Sequence, residues 1–354
     1  MDITHQSYLN KKFFENLDGI RAISIIAVIW HHAAEHSTQF KLHLLEQGNH
    51  GVTLFFVLSG FLITTLLLRE KKRTNNVNLK KFYVRRTLRI FPLYYFVILF
   101  LYVPIVHFFE SNPIRQSDFW HNLPYFLTYT GNIFAKSSTT SMIFLFSWSL
   151  AIEEQFYLVW PTLEKFFSSK ITMCFTAITI ALLTIFDFYI SQIDHFVGTI
   201  MRLISVPILM GVLSAHLLNN KFCYEFISKI LGNKFSFLFS FIFLLASLEF
   251  TRDTSFAVYL FATTLVISSV INTDFFGKKI LQAKILTEIG KVSYGIYLYH
   301  VIVINVIKKV VGHLNGLNSI LTFLLSCCAA YLISYLSYNY FEIRFIKLKK
   351  NYES

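Results

Sequence analysis

The 354 residues are 55% hydrophobic and 18% aromatic with only 15% charged, against roughly 25% charged in an ordinary soluble domain. With Phe 39, Tyr 19, Gly 13 and Pro 6, disordered, collagen-like and linker-rich architectures are excluded. The net charge of +12 falls in short clusters between apolar runs, which is a membrane-topology pattern rather than a nucleic-acid footprint, so no nucleic-acid partner is expected.

In chain order, about ten stretches offer the roughly twenty mostly apolar residues that a helix needs to cross the hydrocarbon core. They run approximately over 17 to 35, 51 to 68, 90 to 109, 143 to 162, 171 to 190, 196 to 218, 234 to 250, 255 to 272, 289 to 308 and 318 to 342. Residues 119 to 134 are aromatic but carry Asn122 and Pro124, which predicts a broken, interfacial or re-entrant piece. Positively charged loops are retained on the cytoplasmic side. Clusters such as Arg69 to Arg89, Lys278 to Lys291 and Arg344 to Lys350 fall on one side, while the other holds only Lys41, Arg115, Lys136, Arg252, Lys308 and Lys309. The predicted fold is all-α, a polytopic integral membrane protein of about ten transmembrane helices with both termini cytoplasmic. One membrane domain is expected over 1–354, with no separate soluble domain and no transporter-like internal repeat. The first apolar run ends in His31, His32 and Glu35 instead of a small-residue cleavage site, so no cleavable signal peptide is predicted. Cys174, Cys223, Cys327 and Cys328 show no CxxC pair or disulfide-like spacing.

An ionisable side chain inside the bilayer costs several kcal/mol unless paired or hydrated, so each is a candidate for function. The first span, LDGIRAISIIAVIWHHAAEH, carries Arg21 and, eleven residues on, His32. That separation is about 1100° of rotation and roughly 16 Å of rise, so both face one side. A packing role would still leave Arg21 in need of an anionic or carbonyl partner.

SWSLAIEEQFYLVWP sets Glu153 and Glu154 in an aromatic and aliphatic span, about 100° apart on a helix. One carboxylate can fix a histidine's tautomer and stabilise its imidazolium, as a general base acting on an alcohol requires. The alternative is a structural ion pair with Arg21 or Arg202. In FYVRRTLRIFPLYYF, Arg85, Arg86 and Arg89 cluster, with 86 and 89 on one face. They suit either a lipid-phosphate anchor or the phosphates of an acyl donor such as coenzyme A, which a guanidinium grips in pairs.

His32, Glu35 and His36 also spell H-x-x-E-H, the order of one class of zinc proteases. No third ligand or further His or Cys cluster is evident, so no metal is expected. In GVTLFFVLSGF and GKVSYGIYLYH, small residues let helices approach closely. His300, which ends the second string, suits packing or an accessory hydrogen bond.

Together LDGIRAISIIAVIWHH, GVTLFFVLSGF, FYVRRTLRIFPLYY, SWSLAIEEQFYLVWP and KVSYGIYLYH resemble, in order and spacing over nearly the whole chain, the membrane-bound acyltransferase-3 family. That family includes bacterial O-antigen and exopolysaccharide O-acetyltransferases. The resemblance implies ten helices in the bacterial inner membrane and a cytoplasmic acyl-coenzyme A donor. Acetyl-CoA would act as co-substrate, with no permanently bound cofactor. It implies transfer to a hydroxyl of a cell-surface or secreted glycan, lipid-linked or free. By position, His32 matches the family's catalytic histidine and Arg21 its paired arginine. Glu153 matches the catalytic glutamate, with Trp148, Ser149, Tyr157 and His300 lining the acceptor pocket. Arg86 and Arg89 match the R-x-x-R pair and, with Arg21, bind the donor.

Two departures stand out. Thr53 occupies the usual Asp position, and FEIRF puts Arg344 where proline is expected. Some members carry an extracytoplasmic hydrolase-like domain, for which this length leaves no room, so the chain is expected to act alone or with separate partners. The reading from another class is a transporter or flippase using the same buried charges as a path.

Overall fold

The computed structural model describes residues 4–11, 13–33, 46–136, 138, 143–189, 204–250, 256–312, 319–349 and 352. Among the described residues every regular element is helical and no strand forms. The helices are α1 (His5–Asn10), α2 (Asn16–Ala33), α3 (Gly51–Thr74), α4 (Leu79–Val97), α5 (Val103–Phe109), α6 (Pro113–Leu127), α7 (Gly131–Phe134), α8 (Trp148–Phe166) and α9 (Ser169–Tyr189). There follow α10 (Val206–Asn219), α11 (Lys221–Leu231), α12 (Ser236–Phe250), α13 (Phe256–Ile271), α14 (Lys278–Leu281), α15 (Lys284–Lys291), α16 (Ser293–Gly312), α17 (Ser319–Ser337) and α18 (Ile343–Lys349).

Each predicted span overlaps one of these helices or, for 90 to 109 and 289 to 308, two. By length and apolarity alone, 3 described helices suffice to cross a bilayer, or up to 5 if the bent pairs α11–α12 and α15–α16 each count once. Those pairs turn by 77° and 78°. The predicted span 289 to 308 is therefore interrupted at Val292, where α15 ends and α16 begins.

Two further boundaries depart from expectation. The third span begins not near 90 but at Leu79, because the Asn78 side chain accepts the Lys81 amide and caps the helix there. From that cap the chain stays helical to Phe109, through a π turn at Ile98–Tyr102. Its first turns are polar, which is why an apolarity criterion misses them. In the 119 to 134 stretch, Pro124 and Asn122 do not break the helix, since both lie within α6. The break comes at Thr128 to Thr130, where Tyr129 adopts φ 53°. Asn122 instead pairs reciprocally with Lys136, donating to its carbonyl at 2.6 Å and accepting its amide at 3.0 Å. That folds the segment back on itself as a helical hairpin of α6 and α7.

The chain divides into two compact units, 1–69 with 207–340, and 70–206 with 341–354. In the first, α2 packs against α13 to α17. Its start is tied by Asn16, which donates to the Ser269 carbonyl at 2.7 Å and accepts from Gln282 at 2.9 Å. The core holds Leu17, Ile20, Val57, Phe61, Ala262 and Val266, all nearly inaccessible. α3 and α10 approach through paired glycines: a Cβ on Gly60 would run into the Ile208 carbonyl, and one on Gly211 into that of Val57. Backbones this close leave no side chain to yield. Gly60→Val is expected to destabilise the protein by at least about 1–3 kcal/mol, the usual cost of overpacking. A lowered thermal transition of the detergent-purified variant, without change at the control Gly277→Ala beyond its own φ strain, checks this.

In the second unit, α4 lies against α8 and α18. The Tyr83 hydroxyl donates to the Leu158 carbonyl at 2.8 Å, and Lys71 caps the end of α8 by donating to the Glu164 and Phe167 carbonyls at 2.5 and 2.6 Å. An aromatic core joins α4 to the hairpin: Tyr94 stacks on Tyr129 with ring centroids 4.3 Å apart, and Phe144 packs on Tyr94, Tyr102 and Phe126. Phe144, like Tyr129, has a left-handed backbone, φ 65°. Bulky residues rarely occupy that region, so the surrounding packing must hold them there.

Candidate active site

Within the first unit, four histidines gather where α2 ends. Gly48 and Gly51 make this possible, because a Cβ on either would strike the α2 backbone at Ala27 or Ser24, so residues 46–53 lie directly on that helix. His31 and His32 form the last turn of α2. Their rings sit edge to face at 5.1 Å, and His31 Nδ1 lies 3.1 Å from the Glu46 carbonyl oxygen. His32 is exposed. The His300 ring, fully buried on α16, lies 5.0 Å from that of His32. His50 is buried, and its Nδ1 lies 3.2 Å from the Thr53 hydroxyl. The position that departs from the family pattern therefore holds a histidine through a hydroxyl. Lys308 on α16 lies within electrostatic reach of His32.

Arg21 has its anionic partner one turn earlier on its own helix. The guanidinium donates to Asp18 at 2.6 Å, with Asp18 buried and Arg21 partly exposed. The i,i+3 spacing of DGIR was the signal for this pair, and the sequence reading passed over Asp18. Because α2 is unbroken from Asn16 to Ala33, Arg21 and His32 keep their roughly 16 Å separation along one face. Glu35, His36 and Arg202 lie outside the described residues. Among the described residues no group of three His, Cys, Asp or Glu side chains is arranged to hold a metal.

The second unit assembles the cationic group. Arg86 is clamped between two aromatic faces, 5.7 Å from the Phe82 centroid one turn below it and 5.3 Å from that of Tyr157 on α8. Both are cation–π contacts. Glu154 and Glu153 lie within its electrostatic reach, as does Arg89. Arg89 itself is exposed and both glutamates are half-buried. Arg85 is engaged elsewhere, donating to the Tyr352 carbonyl at 2.8 Å and to Glu70 at 3.5 Å. Glu70 also accepts the Asn78 amide at 2.9 Å. Arg85 thus joins the C-terminal segment to the α3–α4 turn, a role its spacing did not reveal.

Of the predicted pocket residues, Tyr157 is buried against Arg86. Trp148, at the first position of α8, is 39% exposed, and buried Ser149 donates to the Phe146 carbonyl at 3.3 Å. One further pair on this helix went unforeseen. Gln155 and Asn132 bond amide to amide at 3.1 and 3.0 Å, while Gln155 also donates to the Tyr129 carbonyl at 2.8 Å. These contacts fix α8 to the α6–α7 hairpin next to the two glutamates. The structure thus brings His32 to His300 in the first unit, and Arg86 to Tyr157 and the glutamates in the second.

A protein of Staphylococcus aureus (strain COL) with a provisional O-acetyltransferase name is 29% identical over 368 residues, covering 96% of this chain and 58% of its own length. The O-acetyltransferase OatA of Staphylococcus aureus (strain NCTC 8325 / PS 47) is 27% identical over 367 residues, covering 94% of this chain and 57% of its own. The chain therefore spans a little over half the length of these relatives. No solved structure matches it. A family model described as an acyltransferase domain matches residues 14–339. That range takes in the histidines of α2 and α16, the arginines of α4 and the glutamates of α8 at once, and the chain belongs to this acyltransferase family, the acyltransferase-3 family that its motifs resemble.

Proposed function

We propose that the protein is a membrane O-acetyltransferase that moves an acyl group, acetyl in the simplest case, from acyl-coenzyme A to a hydroxyl of a cell-surface or secreted glycan. The observation that carries this reading is the family match over 14–339, joined to an exposed histidine at the end of α2. Relatives named as O-acetyltransferases favour acetyl and a hydroxyl acceptor. In this reading the helices cross the bacterial inner membrane about ten times with both termini inside, following the distribution of Lys and Arg.

The chemistry follows from the side chains. His32 takes the proton of the acceptor hydroxyl as that oxygen forms its bond to the acyl carbon. The carbon–sulfur bond breaks, and the departing thiolate recovers the proton from the imidazolium. Arg86 and Arg89 hold donor phosphates, which suit the paired donors of guanidinium.

Mass spectrometry of surface polysaccharide from cells with and without the gene tests this reading. Loss of an acetyl increment on deletion, restored by the wild-type gene, is the expected result, and it identifies the acceptor. Identical polysaccharides from both strains would refute the proposal.

A further inference from the structure

We propose that α11 is a membrane-surface helix that docks onto the anionic lipid headgroups of the cytoplasmic leaflet, with Phe222, Phe226 and Ile230 among the acyl chains and Lys221 and Lys229 at the lipid phosphates. The inference goes beyond the transfer reaction and rests on the placement of the chain in a membrane, with the start of α12 on the cytoplasmic side.

The residue order gives α11 two apolar faces. Asn220 caps the helix by accepting the Cys223 amide at 3.2 Å. Tyr224 is buried in the first unit, its ring 5.4 Å from that of Tyr8 and 5.1 Å from that of His5, and Ile227 and Leu231 pack on the same core. With that face fixed inward, Phe222, Phe226 and Ile230 follow one another at one-turn intervals as a second apolar stripe, 79%, 60% and 56% exposed. Seven residues on from Phe222, Lys229 lies about 20° from it around the helix. Lys221 and Glu225, both exposed and paired at 3.8 Å, complete that edge.

The 77° turn between α11 and α12 is fixed by backbone bonds. The Gly232 amide donates to the Ser228 carbonyl, the Phe276 amide to the Lys234 carbonyl and the Asn272 side chain to the Leu231 carbonyl, each at 2.8 Å. α12 carries no charged residue before Glu249, and Phe239, Ile242 and Phe243 on it are about half exposed, the surface of a helix in contact with acyl chains. With α12 upright in the bilayer, this turn sets α11 close to the membrane plane. The apolar surface continues through the corner, where exposed Phe235 has its ring 6.4 Å from that of Phe239. The charges decide what covers the stripe: over 221–235 Lys221, Lys229 and Lys234 stand against Glu225 alone, and the Lys234 ammonium lies 5.1 Å from the Phe235 centroid. An apolar stripe edged by lysines matches acyl chains lying beneath phosphates, with each lysine stem along the apolar surface and its ammonium above it. The cytoplasmic leaflet is the anionic one.

The test reconstitutes the full chain in liposomes and introduces tryptophan at one exposed site at a time, reading the added emission against the unsubstituted protein. Phe226→Trp should be quenched by phosphatidylcholine brominated along its acyl chains and be shielded from aqueous acrylamide, with Phe239→Trp on α12 as the reference for lipid contact. Quenching of Phe226→Trp by acrylamide and not by bromine places the stripe in water and overturns the proposal. Quenching by neither shows it covered by protein, a second copy included, and overturns it equally. A Phe239→Trp that bromine does not reach removes the membrane placement of α12 and the proposal with it. In mixed bilayers, brominated phosphatidylglycerol should quench Phe226→Trp about 2- to 5-fold more per mole than brominated phosphatidylcholine, the enrichment that about one lysine near an anionic surface provides. Lys221→Gln combined with Lys229→Gln should remove most of that difference while acyl-chain quenching persists. Equal quenching by the two lipids, or a difference that the double substitution leaves intact, overturns the headgroup assignment. No step reads acetyl transfer, so the outcome is independent of the proposed reaction.

Discussion

Replacing His32 by alanine removes glycan acylation, by on the order of 10²–10⁴-fold in rate, the range a positioned general base contributes. The protein itself stays in the membrane. His32 is exposed in the last turn of α2, so truncating it opens no core cavity and removes no buried partner bond that the helix depends on. His31→Ala is the informative neighbour, because the His31 ring is turned to the Glu46 carbonyl at 3.1 Å and serves to hold the 46–50 segment. A modest loss is expected there, accompanied by lower thermal stability. Acetyl transfer to the isolated glycan, normalised to the amount of folded protein, separates the two. Undiminished transfer by His32→Ala would remove the histidine from the reaction and with it the enzymatic reading of this end of α2.

Much of this arrangement was legible in the sequence because it is local. Apolar runs mark helices wherever a segment faces lipid or core throughout, as in α3, α13 and α17, and each of these lies where it was expected. The arginines of α4 and the glutamates of α8 were found by the rule that charge in a membrane requires a partner. The Arg21–Asp18 pair was equally local, and its spacing would have given it. Features set by tertiary contact were not legible. The polar start of α4 depends on one capping side chain, Asn78. The break in the hairpin depends on Tyr129 accepting a left-handed backbone inside an aromatic cluster. Pro124 is a helix breaker by its chemistry, yet α6 runs on through it: the Pro124 carbonyl accepts from the amide and hydroxyl of Thr128 at 3.1 and 2.9 Å, and the helix ends one turn later. The meeting of His32 with His300 joins the two ends of the chain, and no periodicity within either helix encodes it.

Arg86→Lys is expected to be nearly as damaging as Arg86→Ala, raising the donor KM or removing activity by about 100-fold or more, although the charge is kept. The guanidinium carbon lies over the Phe82 and Tyr157 rings, 5.7 and 5.3 Å from their centroids, and a guanidinium's five N–H donors can bind phosphate oxygens or carboxylates in pairs. Lysine offers a compact point charge that neither fills that slot nor forms a fork. It would leave Glu153 and Glu154 with a misplaced counter-charge in a setting where unpaired charge is costly. Two variants of the clamp sharpen the test. Tyr157→Phe keeps an aromatic face under Arg86 and should retain most activity, whereas Tyr157→Leu removes it, and the loss should fall on donor KM more than on kcat. Isothermal titration with coenzyme A, which lacks the reacting acyl group, reads donor binding without turnover. Wild-type affinity in Arg86→Lys would show that a positive charge alone suffices at this position, and Arg86 would then be an anchor of α4 and not a ligand of the donor.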